Sequence, residues 1–411
     1  MTIRTRVPAR RRAPIALALT AALAAGCTAG GASGSRPGPP DPTPHGYVEG
    51  AEESAEQQSR LVVSESATGR TRVLDLITGK RHTVPPVKGA TALTTDGRFG
   101  YIHSPGGVSV LDTGAWMVDH GDHVHYYRAD IRAVGRIATR GAARTGGDES
   151  LTAVTTPGRG TTLHRRGDLE RGRTGAARSL PGRHTAVLPF RENLLAVPGP
   201  GATAIAVLDR QGRAKASLTA PCRDPRGDAV TRRGVVLGCA DGALLIRAHG
   251  ETFSAVRIPY AEDVPAHERA RDFRSRPGGD TLTALAGENA VWVLDVTERS
   301  WKRVRTGPVL AANTAGEGAP LLALGTDGTL RGFDIGTGAR TAEAALGAAP
   351  SRPGVRAGAA GAPEIAVDHS RAYVSDPKGR RITEIDYNDS LRIARSFDLD
   401  IRPDLMVETG R

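Results

Sequence analysis

A short unit recurs along most of this chain, and a recurrence of this length leaves few folds open. Each copy is an apolar, β-branched run, a turn, and a second run that usually ends in a hydrophobic–Asp step. The copies are Arg60–Asp75, Phe99–Asp112, Leu194–Asp209, Val235–Ile246, Leu282–Asp295, Leu321–Asp334 and Ala372–Asp386, with a weaker one at Leu151–His164. Alternating apolar residues on both sides of a glycine-punctuated turn mark an antiparallel hairpin. The spacing of about 40–50 residues is the period of a four-stranded propeller blade. A lone blade cannot bury both faces, whereas a closed ring packs each face on a neighbour and protects its edges. Long amphipathic helical patterns are absent. The expected fold is therefore all-β: a β-propeller of eight four-stranded blades over residues 58–411, or of seven if the weak unit is an insertion. The Asp residues that end the hairpins read as turn formers.

The two ends of a blade place further residues. The strand before each hairpin lines the central channel, so His184, opening His184-Thr185-Ala186-Val187-Leu188-Pro189, is expected at a channel mouth. The strand after a hairpin is outermost. The segment His120-Gly121-Asp122-His123-Val124-His125 follows the second hairpin and belongs on or near such a strand and its connecting loop.

That segment carries three of the chain's 11 histidines and a carboxylate. Imidazole nitrogen and carboxylate oxygen suit a borderline-soft divalent ion such as zinc. In an extended strand His123 and His125 share a face, and His120 can fold back across a turn as a third ligand. Asp122 stands as ligand or as a group orienting one. The plain alternative is a solvated polar loop. His103 reads as a strand-end residue and His369 as part of a turn, while His82, His164, His249 and His267 sit in polar surroundings and read as solvated. Glu49, Glu52, Glu53 and Glu56 form an acidic entry segment that reads as a solvated arm, with a weak zinc-collecting role as the alternative, and Tyr126 and Tyr127 are expected to pack between blades.

The first 26 residues stand apart from the fold. Arg4, Arg6, Arg10, Arg11 and Arg12 form a positive region, and residues 13–25 are an apolar run too short to span a bilayer comfortably. The run ends in Leu23-Ala24-Ala25-Gly26-Cys27, similar to a bacterial lipobox with its large aliphatic residue displaced by one. The expectation is a signal peptide over 1–26, taken by the general secretory route, with Cys27 lipidated. The acyl chains would hold the domain on the outer face of the cytoplasmic membrane without a spanning helix. Residues 27–57 then comprise that cysteine, a Gly/Pro/Ser-rich tether and a short lead-in to the propeller.

Export also fits the cysteines. With Cys27 set aside, Cys222 and Cys239 remain, an even pair that suggests a disulfide outside the cytoplasm; a two-thiolate metal site is the rival. The net charge of +11 falls to +6 (11 − 5) once the five leader arginines are removed. Basic residues are scattered and aromatics are 4% of the chain, so no nucleic-acid stripe is present. The protein is expected to be monomeric.

Two segments go beyond a generic propeller pattern: His45-Gly46-Tyr47-Val48-Glu49-Gly50-Ala51-Glu52-Glu53, and Asp119-His120-Gly121-Asp122-His123-Val124-His125-Tyr126-Tyr127. With Leu111-Asp112-Thr113-Gly114, Cys222 and Cys239-Ala240-Asp241-Gly242, they resemble the AztD zinc metallochaperones, exported propellers that pass zinc to the solute-binding protein of a zinc ABC importer. The resemblance implies Zn2+ as cargo, with His120, His123 and His125 as ligands and Asp122 as ligand or orienting group. It also implies His184 as a channel-mouth metal residue and His45 as an accessory one. It departs where Arg136, Arg140 and Arg226 stand in place of further histidines at the starts of inner strands, since arginine cannot ligate zinc. The implied function is a carrier and not an enzyme. The alternatives are a protein-binding propeller with incidental histidines and a zinc-dependent hydrolase, the latter without a nucleophile motif or a second carboxylate at a telling spacing.

Overall fold

Every repeated hairpin becomes the central strand pair of an antiparallel blade, and the described residues form eight blades, seven of them four-stranded. The computed structural model describes residues 48–120, 123–199, 204–316, 318–347 and 361–411. Cys27, His45 and Asp122, together with the leader and most of the tether, lie outside the described residues. No described helix is long and apolar enough to cross a membrane.

The ring closes on itself. The last strand, Leu405–Thr409, pairs with Arg60–Ser64 and completes the first blade from the far end of the sequence. Buried apolar clusters then join every neighbouring pair of blades. Val62 and Val73 of the first blade meet Leu111 of the second. Phe99 and Val108 of the second meet Val154 of the third. The series runs on to Tyr373 and Ile382 of the eighth blade against Leu61 and Leu74 of the first. Each such side chain, fully buried, contributes about 1.5–3 kcal/mol.

The weak unit at Leu151–His164 is a complete blade, so the count is eight and not seven. The sixth blade has three full strands, and the bridge between Arg274 and Thr283 stands in for its innermost one. The Asp residues act as expected. In Asp75, Oδ1 accepts hydrogen bonds from the backbone N–H groups of Ile77 and Thr78 at 3.1 and 2.8 Å. Cys222 and Cys239 form a disulfide, which removes the thiolate-metal reading.

A ninth sheet does not belong to the ring. Between the third strand of the second blade (Gly107–Asp112) and its fourth (Arg132–Ala138), the chain makes an extra hairpin, Ala115–Asp119 with Val124–Arg128. A third strand, Glu52–Ser54, pairs with the outer edge of that hairpin. The histidine segment, expected on or near the outer strand and its connecting loop, lies on an insertion in that connection, ahead of the outer strand. Part of the lead-in to the propeller also contributes to the insertion's sheet.

Candidate metal centre

Gly114 starts the hairpin. Its φ of +65° is a left-handed conformation, and a Cβ there would collide with the carbonyl of Ala129. That close approach lets Ala129 N–H bond the Gly114 carbonyl at 2.8 Å and bring the two strands together. At the tip, His120 N–H bonds the His123 carbonyl at 2.9 Å. Residues directly opposite on antiparallel strands share a face. The pairings of His120 with His123, Val118 with His125 and Trp116 with Tyr127 put all three histidines, Trp116 and Tyr127 on one side of the sheet.

The base of this face is apolar and anchored. Trp116 and Tyr127 are buried and stack at 5.4 Å. The Arg98 guanidinium lies 3.7 Å from the Trp116 ring centroid. Arg98 is itself held bidentately by Asp112 at 3.0 and 2.9 Å and by Glu170 at 3.1 Å. The buried cation is thus paired on both sides, and the hairpin is fixed to the second and third blades. Tyr126 lies on the opposite face, half-buried, and both tyrosines belong to the inserted sheet and not to a blade.

The tip is polar and open. His120 and His123 are exposed and His125 is half-buried. Their ring centroids stand 4.8 Å (His120–His123), 5.2 Å (His120–His125) and 5.0 Å (His123–His125) apart. One nitrogen from each can be chosen so that all three lie within 4.8 Å of one another. Tetrahedral zinc with Zn–N bonds of about 2.0–2.1 Å needs nitrogens about 3.4 Å apart. Holding one ion therefore requires the three rings to draw closer together than they stand here. The Nδ1 of His125 is 2.6 Å from a Glu53 carboxylate oxygen. Burial, and next the charge of Glu53, push the Tyr127 phenol above its ordinary value.

His184 does not join the cluster. It begins the innermost strand of the fourth blade, half-buried, with Nε2 3.1 Å from the Pro181 carbonyl. Strand directions put it at the other end of the channel. Arg166 pairs with Asp96 on the hairpin's side, and Arg210 pairs with Asp148 on that same side. Arg210 adjoins the Phe190–Asn193 end of the fourth blade, opposite to His184.

The remaining histidines are dispersed. His103 is buried, with Nε2 2.9 Å from the Thr94 hydroxyl, and burial lowers its pKa. His164 is also buried, and so lowered, with Nε2 3.0 Å from the Thr162 hydroxyl; it is not solvated as its polar surroundings suggested. His82, His249 and His267 are exposed. His369 sits against Arg276 at 2.9 Å, and burial followed by that charge holds its pKa down. Arg136 lies on an outermost strand, not at an inner-strand start. Sequence reasoning placed Glu53 in an acidic arm but not against His125, and it missed Trp116 and Arg98. The polar–apolar alternation around Trp116 was available as a signal; the pairing of Glu53 with a strand 72 residues away was not.

No protein-family model matches the chain, and no curated protein is similar to it in sequence. Solved structures do match its fold. A crystal structure of AztD from Citrobacter koseri superposes with a TM-score of 0.71 at 19% identity, over 86% of this chain and 98% of that one. Apo AztD from the same organism gives 0.71 at 18% identity, with the same coverage. The dihydro-heme d1 dehydrogenase NirN in complex with DHE gives 0.56 at 16% identity, over 87% and 76% of the two chains. Fold and site together define an eight-bladed propeller with a three-histidine hairpin mounted on one end of the ring. Its architecture is AztD-type, in agreement with the resemblance carried by the sequence.

Proposed function

We propose that this protein is an extracytoplasmic zinc metallochaperone, which holds Zn2+ on His120, His123 and His125 and passes it to the solute-binding protein of a zinc ABC importer. The observation that carries the reading is the convergence of three imidazoles, and no other histidine, on one exposed hairpin tip among the described residues. Three nitrogens leave one tetrahedral position open. On an exposed tip that position is reachable by a ligand from an acceptor, so the ion can be handed over by ligand replacement without unfolding of the propeller. Asp122, in the same short stretch of sequence, is a fourth ligand that an acceptor displaces or an orienting group, and His45 is an accessory collector. The disulfide and the sequence of the leader support export, and Cys27 supports lipid anchoring.

The test is metal analysis of the protein purified without chelator, for wild type and for His123→Ala combined with His125→Ala. The expected result is about one zinc per chain in wild type, lost in the double variant with the fold intact. Zinc-dependent turnover of ester or peptide substrates would favour the hydrolase, and absence of zinc would favour a protein-binding propeller.

A further inference from the structure

The strand Glu52–Ser54 is the least secured part of the metal hairpin's sheet. It has three residues, it is an edge strand, and it comes from the segment ahead of the first blade. Its register puts Glu53 opposite Tyr127, on the face that carries His125. From there the Glu53 carboxylate reaches His125 Nδ1 at 2.6 Å. On the other face Glu52 and Arg128 pair at 2.9 Å, and the Ser54 hydroxyl accepts from Gln58 Nε2 at 2.8 Å. An exposed ion pair of this kind adds little stability, and each ladder hydrogen bond adds only a modest net amount. The strand is therefore held by a small sum.

We propose that Glu53 is the positioning residue of the metal centre, and that the strand carrying it is a strap whose docking and zinc binding reinforce each other. The inference rests on the zinc-carrier reading above. A carboxylate on Nδ1 keeps the proton on that nitrogen, so the lone pair of His125 stands on Nε2, and the ring is fixed in orientation. A metal on Nε2 draws electron density from the ring and strengthens the Nδ1–H hydrogen bond to Glu53. Coupling between two such events is reciprocal: whatever zinc adds to strap docking, a docked strap adds to zinc affinity. Lifting the strap withdraws the carboxylate from His125 and loosens the ion without touching a ligand. The geometry thus gives the centre a release handle at the junction between tether and propeller.

The experiment compares full-length wild type, Glu53→Gln and Glu53→Ala. Zinc affinity is read by competition with a chromogenic chelator, and backbone hydrogen exchange at residues 52–54 is read with and without zinc. Loss of an orienting carboxylate is expected to weaken zinc about 10–100-fold in Glu53→Ala, with Glu53→Gln in between, because its amide oxygen can still accept. Zinc should slow exchange at residues 52–54 in wild type and leave it unchanged in Glu53→Ala. The 15N spectrum of His125 in the zinc-free protein should report a proton held on Nδ1 in wild type and a mixture of tautomers in Glu53→Ala, a change that a merely structural role would not produce. Wild-type affinity in Glu53→Ala, or zinc-independent exchange at the strap, overturns the proposal while leaving the carrier reading intact. Absence of zinc binding by the wild type overturns both.

Discussion

Trp116 decides whether the histidine hairpin is an independent module on a self-sufficient ring. The side chain is 3% exposed, stacks on Tyr127, and lies under the Arg98 guanidinium. Truncating a buried Trp to Ala costs about 3–5 kcal/mol; the lost aromatic pair and cation–π contact fall within that figure. None of the apolar clusters that join the eight blades contains Trp116. Arg98 in the variant keeps Asp112 and Glu170, so no buried charge is stranded. The whole loss should therefore fall on docking of the hairpin. About 4 kcal/mol is about three decades in an equilibrium constant. In Trp116→Ala, hydrogen-exchange protection over residues 115–119 and 124–128 should drop by up to that amount, down to the unprotected limit. Zinc affinity should fall with the population of the docked hairpin. The main calorimetric transition should move by no more than about 2 °C, the response of a large domain to a perturbation well under 1 kcal/mol. A main transition lowered by many degrees, or unchanged exchange in the hairpin, would refute the reasoning.

Other perturbations test other links. Replacing Cys222 and Cys239 together by Ser opens a loop with a sequence separation of 17; the chain-entropy model puts the cost near 3 kcal/mol, readable by denaturant titration, and no loss would contradict it. Gly114→Ala should lower zinc affinity at least tenfold with the ring intact, because the new Cβ meets the Ala129 carbonyl at a positive φ; titration and circular dichroism together check this. Buried His103 and His164 have lowered pKa values. Below about pH 6.5 the unfolded chain binds protons that these groups refuse in the fold, so stability present above that pH is lost as pH falls through the folded values. Thermal midpoints from pH 8 to pH 5 should decline below neutrality, and His164→Gln should flatten part of the decline; a midpoint that rises on acidification would contradict the sign.

The eight hairpins were legible because each is a local pattern: an apolar alternation, a turn, and an Asp that caps it. The third copy was faint for a physical reason. Its strands carry Thr152, Thr155 and Thr161, polar by composition, yet all three are buried and the Thr155 and Thr161 hydroxyls bond each other at 3.0 Å. His164 misled in the same way. In a propeller both faces of a blade pack on neighbours, so a polar residue on either face can be buried with a hydroxyl as partner, and alternation does not report exposure. The histidine tip was legible because a spacing of two on a strand places rings on one face. What was hidden depends on pairings distant in sequence: the closing strand Leu405–Thr409 on Arg60–Ser64, and Glu52–Ser54 on Val124–Arg128. No local pattern records such pairings. The place of His184 at the opposite end of the channel follows from strand order alone, since inner strands begin where third strands also begin and hairpin insertions after third strands sit at the other end.

X-ray absorption at the zinc edge, on the protein carrying one equivalent of zinc, reads the ligands of the bound ion. Zinc held on His120, His123 and His125 has a first shell of nitrogen and oxygen at about 2.0–2.1 Å, with multiple-scattering features of about three imidazoles and no sulfur. These features should drop to one imidazole or vanish in the His123→Ala, His125→Ala variant. A shell containing sulfur, a shell with a single imidazole in wild type, or a spectrum identical in the double variant would show that zinc is held elsewhere or not specifically at all.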